Sequence, residues 1–310
     1  MFCVYCGQQV SNGARFCSKC GKPRTPRPDE VPSNVPTSTR KYYRKYDFTG
    51  ETKTVGEKKH PITVYRIRRS DGVLGGWIQS EENLSHEGNC WVGDNAVVYE
   101  NAKVEGNAQV LETADVHGQA HIYDDAVLYG SCSVSGTAKV RGNAKLYETC
   151  IVIGNAGIYS GALVHGNASI MEEACISGEV YGEALIADHA VVSESARVYE
   201  RAEVSDNAKI SGNAQVYGKS KISGHAIIKD TAEVFGSSTV SGNAQVLANA
   251  KCENSHIEDE SGVMDEVWLY YCDVSGYAVV GGDGKVKGRT LDRGKHDEPR
   301  CIFNDGVQVF

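Results

Sequence analysis

The chain lacks any apolar run approaching the roughly 18 residues that a membrane helix requires. Residues 1–15 also lack the apolar core of a secretion signal. These two absences set the expectation of a soluble, cytoplasmic protein. Eleven cysteines among 310 residues do not amount to a disulfide framework either. Four of them, Cys3, Cys6, Cys17 and Cys20, form paired motifs, and Cys132 and Cys150 fall on interior positions of a repeat. That placement favours reduced thiols. Residues 91–252 contain no long insertion, so no arm is expected to leave the body of the fold there.

What the chain has in abundance is a six-residue period. Alanine, or a small substitute, returns every six residues from Ala96 to Ala174 and again from Ala184 to Ala250. Of these 26 units, 25 carry Val, Ile or Leu two positions later, Cys252 being the exception. In a unit such as Gly106-Asn107-Ala108-Gln109-Val110-Leu111, residues two apart share one side of a strand. Ala108 and Val110 therefore face a core, Gln109 and Leu111 face outward, and Gly-Asn suits a corner. A single unit cannot bury its apolar side, but stacked units can, which predicts an all-β, single-stranded solenoid.

The size of one coil follows from the outward residue after the aliphatic one. Leu111, Tyr129, Tyr147, His165, Tyr181, Tyr199, Tyr217 and Phe235 recur there at 18-residue steps, with one step of 16. Three sides of six residues make a triangular prism, with one coil two residues short near 177–183. Eight to nine such coils are expected, a rod of about 40 Å at one strand spacing per coil.

Before the repeat, residues 1–22 form a cysteine-rich head. Residues 23–40 read as a flexible linker rich in Pro, Ser and Thr, and residues 41–90 as an N-terminal β cap. After the 91–252 solenoid the hexad fails, and residues 253–310 are expected to cap the C-terminal end. In the head, Cys3-x2-Cys6 and Cys17-x2-Cys20 offer four thiolates for a tetrahedral zinc shell. With no open coordination position the zinc would be structural, and it would supply the stability that so short a segment cannot draw from apolar burial.

Residues 1–22 resemble the short zinc-ribbon domains at the N-termini of many bacterial proteins. A second resemblance rests on Gly75-Gly76-Trp77-Ile78, Glu82-Asn83-Leu84-Ser85 and Gly88-Asn89-Cys90-Trp91-Val92, leading into the hexads. These are similar to the YdcK-type β-solenoid family. The resemblance implies a left-handed β-helix related to the hexapeptide acyltransferases, in which grooves between three parallel prisms hold the acyl donor.

Three functions are compatible with these features. The outward ring ladder Tyr129, Tyr147, Tyr181, Tyr199, Tyr217 and Phe235 suits a non-enzymatic binding or scaffolding rod, with a protein or glycan partner and the ribbon as docking element. A trimeric acyltransferase would draw a general base from His117, His121, His165, His189 or His225. His189, Asn207, His225 and Asn243 share one corner column, while outward Ile151, Ile153 and Leu163 suggest a contact surface and hence a homotrimer. Nucleic-acid binding is the third. Residues 1–46 carry a formal charge of +7 against −15 for the remainder, and the 40–46 stretch interleaves Arg and Lys with Tyr.

Overall fold

The computed structural model describes residues 44–293, 301–302 and 307–309. The four cysteines of the head and the linker lie outside these residues. From Arg44 onward the chain forms one all-β unit, a solenoid of about 12 coils with about 18 residues per coil. Each side is a two-residue strand followed by a corner. Ala108 and Val110, like their counterparts along the rod, are fully buried in one continuous core. Where serine takes the small slot, its hydroxyl is satisfied locally. Ser220 donates to the Tyr217 carbonyl at 2.8 Å, and Ser238 donates to those of Phe235 and Cys252.

Three parallel ladders make the faces. The first runs from Val97–Val98 to Thr290–Arg293, the second from Trp91–Val92 to Lys285–Lys287, and the third from Lys103–Val104 to Val279–Gly282. Each outward-facing strand residue pairs with one a full coil later, as Val127 does with Lys145. The short coil lies at Ser177 and Gly178, the only residues between strands Cys175–Ile176 and Glu179–Val180. Register across it steps by 16, from Leu163 to Glu179. Glycine is needed there because a Cβ on Gly178 would sit 2.6 Å from the Ala196 carbonyl oxygen.

The N-terminal strands β1 (Tyr46–Val55), β2 (Ile62–Arg69) and β3 (Leu74–Ile78) form an antiparallel meander that continues the first face. β3 then pairs in parallel with Val97–Val98, so the first ladder starts within the 41–90 segment rather than at residue 91. Gly76 permits this junction, since a Cβ there would meet the Ala96 carbonyl oxygen at 2.5 Å.

At the other end the parallel ladders pass beyond Cys252, where the hexad stops in the sequence. Lys251 pairs with Trp268 and Trp268 with Lys285, at 17-residue steps. One side has shrunk to five residues, and Ser255, Ser261, Val267 and Cys272 take the buried small slot. The coils therefore extend to about residue 293 and outnumber the eight to nine expected. At one strand spacing per coil the rod is about 55 Å long. The described part of the C-terminal cap is smaller. Val307–Val309 adds antiparallel to Val279–Gly282 on the third face, and Cys301–Ile302 pairs with it.

Candidate functional site

The ring ladder occupies the second face, each member directly after an in-register strand except Phe235, which is the last residue of its own. Because the strands stay paired even across the 16-residue step from Leu163 to Glu179, the rings fall into one column. Centroid separations from Tyr129 through Phe235 are 5.2, 4.5, 4.8, 4.8, 4.8 and 5.1 Å, with planes within 8° of parallel. His165 is a full member, between Tyr147 and Tyr181. The sequence shows it in the same slot, although the aromatic set alone omits it. Its two ring nitrogens lie 3.8 Å from Glu148 and 3.7 Å from Glu179.

This arrangement decides what the ladder can offer. Each inner ring has a neighbouring ring on both faces, so the column stabilises the coils by stacking, roughly 0.5–1.5 kcal/mol per pair. Every ring is half-buried, and what it turns outward is an edge and, for tyrosine, a hydroxyl. The faces of the inner rings are therefore closed to stacking by sugar rings or bases, and the column continues with Leu111 before Tyr129 and Glu253 after Phe235. Tyr199 donates to the Gln215 side-chain oxygen at 3.2 Å, and Tyr217 to Glu233 at 3.3 Å. Burial, with nearby negative charge, pushes the Tyr199 hydroxyl up to about 12 and raises that of Tyr217 as well. The Tyr199 and Tyr217 hydroxyls are thus neutral donors around pH 7.

The candidate bases are dispersed. His117 bonds Asp115 at 2.9 Å and stacks on Tyr99, and the Asp115 bond raises its pKa above the usual imidazole value. His121 bonds Glu105 at 2.8 Å and stacks on Tyr123. His189, Asn207, His225 and Asn243 do share one shallow depression of about 380 Å3, where exposed His189 lies 3.2 Å from Glu173. Ile151 and Ile153 lie on the first face and Leu163 on the second, so they do not form the single surface that their spacing suggested.

The basic 40–46 stretch is divided too. Residues 40–43 lie outside the described residues, while Arg44 pairs with Glu81 at 3.2 Å and the Lys45 ammonium donates to the Cys90 carbonyl at 2.8 Å. Tyr46 is buried, its hydroxyl bonded to the Leu84 carbonyl. Lys45 and Tyr46 are thus engaged at the N-terminal end of the core, while Arg44 stays exposed.

Cys3, Cys6, Cys17 and Cys20 lie outside the described residues, and what bears on zinc there is their donor chemistry. Two CxxC pairs supply four soft thiolates, which suit a closed tetrahedral zinc shell. Residues 2–24 match the zinc-ribbon domain family. The chain therefore has a zinc ribbon at its N-terminus, ahead of a β-solenoid. No curated protein matches the chain. Among the described residues no group of three or more His, Cys, Asp or Glu is placed to hold a metal ion, and no helix is long and apolar enough to cross a membrane. Cys132, Cys150, Cys252 and Cys272 are free and buried. A hydrogen bond with the Cys132 thiol, together with burial, raises the Cys150 thiol, and burial raises that of Cys252, which makes both poor nucleophiles.

Proposed function

We propose that this chain is a non-enzymatic binding or scaffolding rod whose zinc ribbon is a docking element. The ribbon would bind one structural zinc through Cys3, Cys6, Cys17 and Cys20. The observation that carries the reading is the seven-ring column from Tyr129 to Phe235, a straight, rigid row of aromatic edges and hydroxyls on a flat face. Edges and hydroxyls of this kind suit a protein partner, because tyrosine gives large contact area at little conformational cost. Kinship with the YdcK-type solenoids and a cytoplasmic location belong to the same proposal.

The test is the Tyr147→Ser/Tyr199→Ser double variant of the full chain. Solution mass by light scattering and recovery of a bound protein partner are read beside circular dichroism. Retained β signal with altered self-association or lost partner supports the reading. Unchanged mass together with unchanged partner recovery overturns it.

One observation favours a second reading, a trimeric acyltransferase. A carboxylate beside an exposed imidazole, as Glu173 is beside His189, is the arrangement that orients a general base. Trimer mass and saturable binding of an acyl-coenzyme A would replace the first reading with this one.

A further inference from the structure

The geometry points to an acidic-glycan site on the third face, where the coils carrying Lys103, His121 and Lys139 stack. A depression of about 630 Å3 lies over these coils. The three strands pair in register, which sets the two lysines in one column two strand spacings apart, about 10 Å. Beside them runs a second column of exposed corner side chains, Asn101, Gln119, Thr137 and Asn155.

Three nearby carboxylates keep their charge but are held on other partners than the lysines. Glu105 holds His121 at 2.8 Å, Glu100 accepts the Gly118 N–H at 2.7 Å, and Asp124 accepts the Gly142 N–H at 3.1 Å. Lys103 and Lys139 form no ion pair among the described residues. On a body whose formal charge is −15 beyond residue 46, two unneutralised ammonium groups in one groove mark a place for anions. Arg141 adds a third cation at its edge, held 4.7 Å over the Tyr159 ring.

The choice of a glycan follows from the rest of the lining. Amide and hydroxyl side chains repeat once per coil, a spacing close to the length of one pyranose residue, and pair well with sugar hydroxyls. Ammonium groups suit uronate carboxylates. Single-stranded nucleic acid asks instead for open aromatic faces on which bases can stack. Here one face of Tyr123 lies against His121, and the Tyr159 ring lies between Gly157 and Arg141. The groove is on a different face from the ring ladder, so either site can fail without the other.

The test is calorimetric titration of the full, zinc-loaded chain with oligogalacturonate. Neutral xylo-oligosaccharide and a single-stranded oligodeoxynucleotide serve as comparators. The basic N-terminal segment contributes equally in every variant, so the readout is the difference between variants. Lys103→Ala/Lys139→Ala is expected to weaken uronate binding on the order of tenfold or more, as loss of charge-assisted contacts does. The Lys103→Arg/Lys139→Arg pair should retain most of it. Lys229→Ala, directly after the third-face strand Ile227–Ile228 and outside the groove, should leave it unchanged. Three results overturn the site: no saturable uronate binding, equal affinity in the double alanine variant, or equal binding of the neutral glycan. An oligonucleotide that binds more tightly than the uronate and loses as much in the double alanine variant reassigns the groove to nucleic acid.

Discussion

The carboxylate of Glu100 accepts the backbone N–H of Gly118, one coil further on, at 2.7 Å. The same bond recurs from Glu112 to Gly130, Glu148 to Gly166, Glu194 to Gly212 and Asp206 to Gly224. These acidic residues sit at corners with φ near +60°, a region that side chains other than glycine rarely occupy. The bond to the next coil offsets that strain. Much of the acidity of the rod is therefore structural, a set of carboxylates that cap corner amides.

Replacing Glu148 by alanine removes the bond to Gly166 while keeping a Cβ at φ 65°. The expected loss is about 1 kcal/mol, read as a lower urea midpoint. Glu148→Gly should cost less, because glycine accepts the backbone conformation. Equal losses in the two variants would show that the conformation contributes nothing.

The short corner gives a sharper contrast. Gly178→Ala places a Cβ against the Ala196 carbonyl and should cost about 1–3 kcal/mol. Gly161, also at a corner, has open space where a Cβ would stand, with nothing within 4 Å, so Gly161→Ala should be neutral or slightly stabilising. Thermal melts of the two variants side by side decide the matter.

The ring column predicts a loss of stability at high pH. Tyr199 ionises at about 12 in the folded rod, against its ordinary 10.0. The unfolded chain therefore releases this proton first. The stability held by the neutral hydroxyl is complete below pH 10 and is lost as pH rises from 10 to about 12. Unfolding midpoints across this window should fall, and Tyr199→Phe should make the fall shallower. An unchanged slope in that variant would remove Tyr199 from the account.

For the ribbon, one zinc per chain is expected by elemental analysis, and Cys17→Ser should lower that content sharply because three ligands do not close the shell. The solenoid, which forms a separate unit from Arg44 onward, should keep its circular dichroism signal. Full zinc content in the variant would place the metal elsewhere.

Much of the rod was legible because its core demands one small and one branched residue at fixed spacing, as in Ala108 and Val110. Even the short coil at Ser177 and Gly178 shows as a slipped register. The last coils were hidden for two physical reasons. A five-residue side at Asn254 and Ser255 breaks the period, and the slot filled earlier by alanine accepts Ser261, Val267 and Cys272 once the cross-section changes. The first ladder's start was hidden because β3 enters it from an antiparallel meander, with no hexad to announce it. For the ladder, spacing placed Tyr147 and Tyr199 on one face but could not show that their rings lie face to face along the column.

A coil of three equal sides also makes the rod a ruler. Duplicating or deleting an 18-residue block in the regular region changes its length by one rung of about 4.8 Å and returns every downstream side chain to its own face. A six-residue block instead turns everything beyond it by a third of a revolution, carrying the tyrosine column from one face to the next. Length can thus drift freely in whole coils, while the direction in which each surface points is locked.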